Sequence, residues 1–185
     1  MCIILFSPVM LLSAILVKAT SKGPLIFAQE RVGLHNKPFQ MYKFRSMEVQ
    51  AKSEEKKGWT IKNDPRVTPV GRFIRKTSID ELPQLFNVLK GDMTFVGTRP
   101  EVPKYVAHYT EEMMATFLLP AGVTSRTSIE YKDEEKLLEN AENADEVYIN
   151  EVLPAKMVYN LREIEKFSFL RDICTMVKTV IAVIK

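Results

Sequence analysis

The feature that most constrains this chain is the apolar run at its start, MCIILFSPVMLLSAILV, which carries no charged side chain. A straight helical span of a bilayer needs about 20 apolar residues, and this run is at the short edge of that range. Pro8 removes a backbone donor near its middle, and the Ser7 hydroxyl can bond the carbonyl that a kink frees. We therefore expect residues 1–20 to form a bent segment that dips into one leaflet, in preference to a buried first helix of a soluble domain.

The charge of the chain is distributed unevenly. Residues 18–76 hold fourteen Lys and Arg against five Asp and Glu, whereas residues 130–151 hold nine acidic against two basic residues. A basic first half favours an anionic partner such as a phosphate, a lipid headgroup or a nucleic acid. The two cysteines and two histidines lie outside any motif of disulfide or zinc-ligand spacing, which disfavours a disulfide scaffold and a zinc site.

Local patterns predict an α+β fold that is mainly helical with a small β-hairpin. Two strand-like stretches lie within 22–33 and 37–47, on either side of a polar turn. A helix is expected over 77–91, with Leu82, Leu85 and Leu89 facing inward and Gly91 after its end. Further helical pieces are expected in the second half of the chain: a helix over 103–119 and solvated pieces over 131–154, while 48–58 is expected to be a solvated helix or loop. An amphipathic helix is expected over 169–185, and it suits a membrane surface and a protein core equally. Residues 21–185 are taken as one domain.

The stretch SIDELPQ places two adjacent carboxylates, Asp80 and Glu81, at the start of a predicted helix. Ser78 and Glu81 have the spacing of a capping box, which by itself explains both acids without any chemistry. Two features weigh against that explanation. Pro83 removes an amide five residues after Ser78, and Asp80 is expected to project away from the core into solvent. Basic side chains at positions 72, 75, 76 and 99 also flank the pair in sequence.

Adjacent acidic side chains of this kind suit phosphoryl transfer. A carboxylate can attack a phosphoryl centre and hold it as an acyl phosphate. An attack on a diphosphate requires that the repulsion between anions be reduced, which Mg²⁺ held by a carboxylate and by phosphate oxygens achieves. An Asp and a Glu can divide these two roles, and guanidinium groups fit the remaining phosphate oxygens. The sequence thus contains the parts of a phosphoryl-transfer site, with helix capping as the alternative.

The segment NDPRVTPVGRFIRKTSIDELPQLFNVLKGDMTFVGTRP, residues 63–100, closely resembles the bacterial sugar transferase family, the monotopic phosphoglycosyl transferases. QERVG at 29–33 and YKFRSM at 42–47 are similar to upstream motifs of that family. LFSPVMLL at 5–12 resembles its re-entrant membrane helix, which is broken at a Ser-Pro pair. The resemblance implies a monotopic protein on the cytoplasmic face of the bacterial inner membrane, with a C-terminal amphipathic helix at the membrane interface.

The resemblance also implies a reaction. Asp80 would be the nucleophile that takes a sugar-1-phosphate from a UDP-sugar as a covalent intermediate and expels UMP, and Glu81 would be the Mg²⁺ ligand. Undecaprenyl phosphate, a polyprenol phosphate, would then accept the phosphosugar from Asp80 in a ping-pong scheme. This is the first step of bacterial glycoconjugate synthesis, which makes capsule, exopolysaccharide or O-antigen. Thr98, Arg99 and Pro100 match the segment that is implicated in holding the nucleotide sugar.

Four further basic side chains are candidates for substrate binding: Arg31, Lys43, Arg75 and Arg126. Each has a simpler explanation as a solvated side chain or a lipid-headgroup contact, worth about 1 kcal/mol near an anionic surface. The chain also departs from the family pattern in several places, among them the stretch after LPAGVTS, where the Gly-x-x-Gln run of many relatives is absent. Met1 begins partway into the re-entrant helix, so we expect this helix to be short. Thr98 stands where proline is usual, and Asn160 stands where relatives often have Asp.

Two rival functions remain open. A catalytically weak or inactive membrane scaffold follows if the short first helix no longer seats the site at a membrane. A nucleic-acid binder would use the basic first half and would be retained on DNA or RNA in a salt-dependent way. Because that half contains no recognisable nucleic-acid-binding motif, we expect membrane lipid as a partner and no nucleic acid.

Overall fold

The computed structural model describes residues 2–49, 64–132, 134–138, 141 and 143–184. Most of the segment expected to be a solvated helix or loop, 48–58, lies outside these residues. The described chain is mostly helical, with two small sheets of two strands each. This architecture agrees with the α+β, mainly helical prediction.

The N-terminal run forms α1 (Cys2–Thr20), a continuous helix with Pro8 in its interior. The predicted interruption at the Ser-Pro pair is therefore absent from the secondary structure. The compensation expected of Ser7 is present, because its hydroxyl donates to the Ile4 carbonyl at 2.7 Å. That carbonyl is the one an ordinary residue at position 8 would bond. By length and apolar composition α1 is a candidate membrane span, and little of it is buried.

The predicted β-hairpin is confirmed. Strands β1 (Ile26–Val32) and β2 (Pro38–Phe44) pair in antiparallel register from end to end. A 3₁₀ turn at Leu34–Asn36 joins them, with His35 in the left-handed region at φ 56°. The hairpin supplies Met41, which is 1% exposed, to the core beneath it.

Arg45 ties the hairpin to the end of α1. Its buried guanidinium donates to the Ser21 carbonyl at 2.7 Å, to the Ser21 hydroxyl at 2.8 Å and to the Pro24 carbonyl. A cation at this place satisfies carbonyls that have no partner within the helix, and it interacts favourably with the helix dipole. The end of β2 is thereby held close to the end of α1.

Helix α2 (Pro69–Lys76) precedes the helix expected over 77–91. The Thr68 hydroxyl accepts from the Gly71 amide at 2.9 Å, and Pro69 takes the first helical position, where its missing amide breaks no helical bond. Gly71 is needed for close packing, because a Cβ there would lie 1.9 Å from the Ser46 carbonyl oxygen. Two nearby prolines make this helix start look like a turn in the sequence.

The helix predicted over 77–91 is divided. A 3₁₀ turn spans Ile79–Glu81 and α3 spans Gln84–Lys90, with Pro83 between them. The helix ends at Gly91, which has φ 85°, as the stop signal predicted.

The buried face of α3 is polar, so the predicted inward leucine face is wrong. Leu89 is 74% exposed, whereas Gln84 and Asn87 are fully buried. Asn87 Nδ2 donates to the Gln40 carbonyl at 2.7 Å, and Asn87 Oδ1 accepts from the Tyr42 amide at 3.0 Å. Because these bonds satisfy backbone groups at the edge of β2, they turn the polar side of α3 inward and leave its apolar side exposed.

A parallel pair of short strands, β3 (Met93–Val96) and β4 (Ala121–Thr124), was not predicted. Strands of four residues are too short for alternation of polar and apolar residues to identify them. Just beyond β3 the backbones approach closely, since a Cβ on Gly122 would lie 2.2 Å from the Gly97 nitrogen. This contact fixes the start of the loop that carries Thr98, Arg99 and Pro100.

The connection between β3 and β4 is not the single helix expected over 103–119. It contains α4 (Pro103–Val106) and a separate 3₁₀ segment at Met113–Leu118. A helix over 103–119 would be about 25 Å long at 1.5 Å per residue. Because the strands it must return along measure only about 13 Å, the connection is folded into shorter pieces.

The C-terminal half forms the largest apolar cluster that the structure describes. It contains α5 (Arg126–Glu130), α6 (Glu134–Leu138), α7 (Ala144–Val147), a π-helical turn at Tyr148–Val152 and α8 (Leu153–Glu165). Buried side chains of these elements pack with Tyr105 of α4: Leu138, Tyr148, Val152, Leu153 and Met157. The acidic stretch is therefore helical as predicted, but its apolar side belongs to the core.

Helix α9 (Phe169–Ile184) is amphipathic as predicted, and its polar side faces the protein. Thr179 Oγ1 lies 2.7 Å from Thr124 Oγ1 of β4, and Thr175 is 9% exposed. The apolar side chains point outward, and between 36% and 76% of each residue is exposed: Phe169, Leu170, Ile173, Met176, Val177, Val180 and Ile181. Of the two placements that the sequence left open, docking through the apolar face is therefore wrong.

Candidate active site

Three elements bring the predicted site residues together. Asp80 and Glu81 lie on the 3₁₀ turn between α2 and α3, Lys43 lies near the end of β2, and Arg99 follows β3. Glu81 joins the group, because its Oε1 accepts from Lys43 Nζ at 2.8 Å and both of its oxygens accept from the Arg99 guanidinium. The pair of acids and the two cations thus form one cluster from distant parts of the chain.

The turn that presents the acidic pair is strained at Ser78. This residue has φ 54°, a left-handed conformation that is uncommon for residues other than glycine and that often marks functional sites. Its carbonyl accepts from the Glu81 amide at 3.2 Å, but its hydroxyl makes no capping bond. The predicted capping box is therefore wrong, since a capping residue needs an extended backbone that Ser78 does not have.

Asp80 is buried, contrary to the prediction that it projects into solvent. Only 8% of the residue is exposed, and among the described residues its carboxylate has no hydrogen-bond partner. Burial raises the pKa of Asp80 to about 6; the charge of Lys43 opposes this rise and the charge of Glu81 reinforces it. The expectation of an exposed Asp80 failed because it assumed one continuous helix with its leucines inward.

Glu81 has the opposite electrostatic environment. Burial by itself would raise the pKa of Glu81, but the charges and hydrogen bonds of Arg99 and Lys43 outweigh burial and hold this pKa well below its usual range. Burial lowers the pKa of Lys43 although Glu81 counteracts it, and the charge of Glu81 raises the pKa of Arg99. Two neighbouring carboxylates thus differ in proton affinity: the pKa of Glu81 is lowered by its cationic partners, and the pKa of Asp80 is raised by burial.

Backbone bonds on both sides of Arg99 fix its position. Before it, the Thr98 carbonyl accepts from the Gly122 amide at 2.9 Å. After it, the Pro100 carbonyl accepts from Arg31 Nη1 at 2.9 Å. Arg99 Nη1 also donates to the Val123 carbonyl at 3.2 Å. Thr98 and Pro100 therefore contribute to the site through their backbone.

The other predicted basic residues occupy different places. Arg31 lies beside the Arg99 loop, where its Nη2 also donates to Gln29 Oε1 at 2.7 Å. Arg75 is half-buried, and its charge is one of those that lower the pKa of Asp80. Arg126 lies at the start of α5, where its side chain contacts Glu130 at 3.9 Å. A described contact therefore brings Arg31 to the Arg99 loop, and Arg75 is linked to the site through its charge. The described contacts of Arg126 are with Glu130 and Glu163, away from the acidic pair.

The sequence did not predict a second cluster of charged side chains behind the site. Glu101, directly after Pro100, contacts Tyr148 and Lys156 from the C-terminal half. The only signal in the sequence is that Glu101 adjoins the recognised segment. Asn160, noted as a departure from the family, is buried and accepts from the Thr127 hydroxyl at 2.6 Å.

A divalent cation fits this site only as an ion shared with a ligand. Among the described residues, no three Asp, Glu, His or Cys side chains group closely enough to hold a metal. Glu81 Oε1 already accepts two described hydrogen bonds, whereas Oε2 accepts one, from Arg99. A carboxylate oxygen has two lone pairs, so Oε2 retains capacity for one ligand bond. Mg²⁺ is commonly bound through one or two carboxylates and substrate phosphates, which matches this donor set.

A carboxylate with a raised pKa beside an ion-paired carboxylate is typical of functional sites, and Arg and Lys side chains are common phosphate-binding groups. The chain belongs to the bacterial sugar transferase family, whose model matches residues 1–185. This membership confirms the family resemblance that residues 63–100 indicated.

Three relatives of known name show what this family includes. The UDP-N-acetylgalactosamine-undecaprenyl-phosphate N-acetylgalactosaminephosphotransferase of Aeromonas hydrophila is 38% identical over 179 residues, which are 95% of this chain and 39% of that protein. The UDP-glucose:undecaprenyl-phosphate glucose-1-phosphate transferase of Klebsiella pneumoniae is 44% identical over 144 residues, 76% of this chain and 31% of that protein. The undecaprenyl-phosphate galactose phosphotransferase of Salmonella typhimurium is 45% identical over 139 residues, 67% of this chain and 29% of that protein. The chain thus spans well under half of each of these relatives.

Proposed function

We propose that this chain transfers a sugar-1-phosphate from a UDP-sugar to undecaprenyl phosphate and releases UMP. The names of the relatives support the substrate classes, and the name of each of the three contains undecaprenyl phosphate. The observation that carries the proposal is the contrast between the two adjacent acids. Asp80 has no described partner and a raised pKa, while Arg99 and Lys43 hold Glu81 as an anion.

Asp80 is the nucleophile of the first half-reaction. One of its carboxylate oxygens attacks the phosphorus that carries the sugar, a new P–O bond forms, and the bond from that phosphorus to the bridging oxygen breaks. UMP leaves with the electron pair of the broken bond. A pKa of about 6 leaves Asp80 mostly ionised at neutral pH, and it makes the carboxylate more basic than an ordinary aspartate.

The second half-reaction returns Asp80 to its starting state. A phosphate oxygen of undecaprenyl phosphate attacks the phosphorus of the Asp80-bound phosphosugar, and the bond from that phosphorus to the aspartate oxygen breaks. Arg99 and Lys43 lie where their charges can balance the phosphate oxygens of the bound substrate throughout both steps. The two products therefore leave in sequence, which defines a ping-pong scheme.

Charge balance favours Mg²⁺ as the cofactor. Above the pKa of Asp80, the charges of Asp80 and Glu81 cancel those of Lys43 and Arg99, so the cluster has no surplus positive charge for a diphosphate. Mg²⁺ bound with the substrate would supply that charge, and Glu81 would hold it through one oxygen.

The exposed apolar surfaces support a location at the cytoplasmic face of the bacterial inner membrane. On α1, Ile4, Leu5 and Leu11 are each at least 65% exposed, and the outward side of α9 is apolar as well. Surfaces of this kind are stable when lipid covers them. We propose that α1 enters the membrane as a re-entrant segment with the active site at the interface, where a soluble nucleotide and a lipid phosphate both reach Asp80.

Label transfer to the protein tests this function. Detergent-solubilised protein with Mg²⁺ is incubated without lipid acceptor, using UDP-sugars radiolabelled in the sugar, with N-acetylgalactosamine, glucose and galactose as the panel. We expect UMP release and a labelled protein with at least one of them. Asp80→Asn should abolish both signals, whereas Asp172→Asn, a carboxylate change on α9, should preserve them. Absence of both protein labelling and UMP release with every UDP-sugar would contradict the proposal and favour the scaffold alternative.

A further inference from the structure

A buried group of charged and phenolic side chains lies behind the Arg99 loop, and we call Glu101, Tyr148, Lys156 and Glu134 the Glu101 cluster. The Tyr148 hydroxyl donates to Glu101 Oε1, and Lys156 Nζ lies 3.3 Å from the same oxygen. Lys156 also donates to the Tyr148 oxygen at 3.0 Å and to Glu134 Oε2 at 2.9 Å. The side chains of Glu101 and Lys156 are only 11% and 12% exposed. The cluster therefore joins α6, the π-helical turn and α8 to a single carboxylate.

Glu101 connects this cluster to the loop that carries Arg99. Its carbonyl accepts from the Val32 amide at 2.9 Å, and its Oε2 lies 3.8 Å from Arg31 Nη1. The same Arg31 nitrogen donates to the Pro100 carbonyl. The backbone immediately after Arg99 is thus held by β1 on one side and by the C-terminal helices on the other.

The energetics of buried charges make this connection stiff. Glu101 is balanced by Lys156 and Arg31, and Lys156 is balanced further by Glu134. Removing one partner from such a network leaves a desolvated charge without compensation, so the remaining groups shift to find water or a new partner. The loop at 97–101 is the part of the network that borders the substrate site, so a shift there would move Arg99.

We propose that Tyr148 and Lys156 are positioning residues that hold Arg99, through Glu101, in the geometry that binds the nucleotide sugar. Neither side chain contacts the acidic pair in the described structure. They act through the Glu101 carboxylate and the Pro100 carbonyl. This inference rests on the proposed transferase function, since it assigns UDP-sugar binding to Arg99. The C-terminal helices thereby stabilise a substrate site whose residues lie within the first hundred positions of the chain.

A matched pair of tyrosine variants tests the inference. Tyr148→Phe removes the hydroxyl that Glu101 accepts from. Tyr105→Phe removes a hydroxyl bonded to Asp145 in the same aromatic pair, whose ring centres are 4.6 Å apart. We expect Tyr148→Phe to raise the KM for the UDP-sugar in UMP release about 3- to 10-fold with kcat nearly unchanged, as for a contact made equally in the ground and transition states. Tyr105→Phe should leave both constants unchanged.

Hydrogen–deuterium exchange supplies a second measurement that is independent of activity. Amides at 97–101 should exchange faster in Tyr148→Phe than in Tyr105→Phe. If the wild-type chain releases no UMP but this difference in exchange appears, the proposed function fails while the mechanical connection stands. If the two variants match in exchange at 97–101 and, for an active chain, in KM, the inference is overturned.

Two substitutions of Lys156 provide a second test for the case in which Tyr148→Phe does not fold. Lys156→Arg keeps the positive charge beside Glu101, and Lys156→Met removes it at similar length. We expect Lys156→Met to reproduce the rise in KM and in exchange at 97–101, and Lys156→Arg to restore most of the wild-type behaviour. Equal losses in both variants would show that shape and not charge matters at this position, which contradicts a positioning role through Glu101.

Discussion

Asp80 and Glu81 are neighbours in sequence with opposite environments, and this contrast has consequences for stability. The pKa of Asp80 is raised above its unfolded value of 3.8 to about 6, so its ionised form destabilises the fold and stability falls as pH rises from about 4 to 6. The pKa of Glu81 is lowered, so its ionised form stabilises the fold above an unfolded pKa of 4.5, and this contribution is lost as pH falls. Ionisation of a carboxyl group therefore destabilises the fold at Asp80 and stabilises it at Glu81.

Converting each acid to its amide should reveal this opposition. We expect Asp80→Asn to raise the free energy of unfolding at pH 7 by about 2–3 kcal/mol while abolishing activity, because the shift spans about two pKa units. Glu81→Gln should lower it by about 2–4 kcal/mol, since Arg99 and Lys43 lose their shared anion in a partly buried place. Denaturant unfolding in detergent at pH 7 and pH 4 measures both effects. The gain from Asp80→Asn should shrink at pH 4, and changes of the same sign in both variants would contradict these assignments.

At the scale of elements, α3 shows how tertiary contacts override an amphipathic pattern. Its sequence predicts that leucines pack inward, yet Asn87 is fully buried and Leu89 is 74% exposed. The reason is that the edge of β2 offers backbone groups that need partners, and an amide side chain satisfies a donor and an acceptor together. The apolar side of α3, with Phe86 and Leu89, is then left exposed among the described residues.

Truncation of a buried polar side chain of α3 should therefore cost more stability than truncation of an exposed apolar one. We expect Asn87→Ala to lower the free energy of unfolding by about 2–4 kcal/mol, because it leaves buried backbone groups of β2 unsatisfied. Leu89→Ala, on the exposed side of the same helix, should change it by less than about 0.5 kcal/mol. Denaturant titration in detergent compares the two. A larger loss for Leu89→Ala would show that the apolar face packs within the protein.

The hairpin and the stop at Gly91 were predictable because their signals are local. A strand pair joined by a polar turn and a glycine that ends a helix depend on residues close in sequence. The strands β3 and β4 were not predictable in this way, since four-residue strands lack a periodic pattern and their pairing joins Met93 to Ala121 across a long connection. The apolar composition of α1 was likewise evident, but whether it is straight or bent at Pro8 depends on its surroundings.

For the whole molecule, the exposed apolar surfaces of α1 and α9 are the basis of the proposed membrane location. The docked side of α9 is polar, so its apolar side has no partner among the described residues. In the proposed location, an acidic substitution on that side introduces a charge in or near the lipid. Such a charge is costly at a membrane and harmless in water.

Vesicle binding by full-length variants tests this location. We expect Val177→Asp to lower the fraction of protein bound to phosphatidylethanolamine–phosphatidylglycerol vesicles several-fold, at roughly 1–3 kcal/mol for a charge near the interface. Val158→Asp on α8 is the matched control, because Val158 and Val177 are 49% and 54% exposed. Co-sedimentation measures the bound fraction. Equal binding by the two variants would show that α9 does not contact the membrane.

The sequence alone determined the family, the acidic pair, the basic residues near it and the apolar start of the chain, because each depends on residue types at short spacing. Only the tertiary structure decided the states of the two acids. Glu81 is held by Lys43 of β2 and by Arg99 after β3, which meet the turn at 79–81 only after folding, and Asp80 becomes buried at the same turn. A pKa depends on burial and on nearby charges, and neither can be deduced from the residues that are adjacent in sequence.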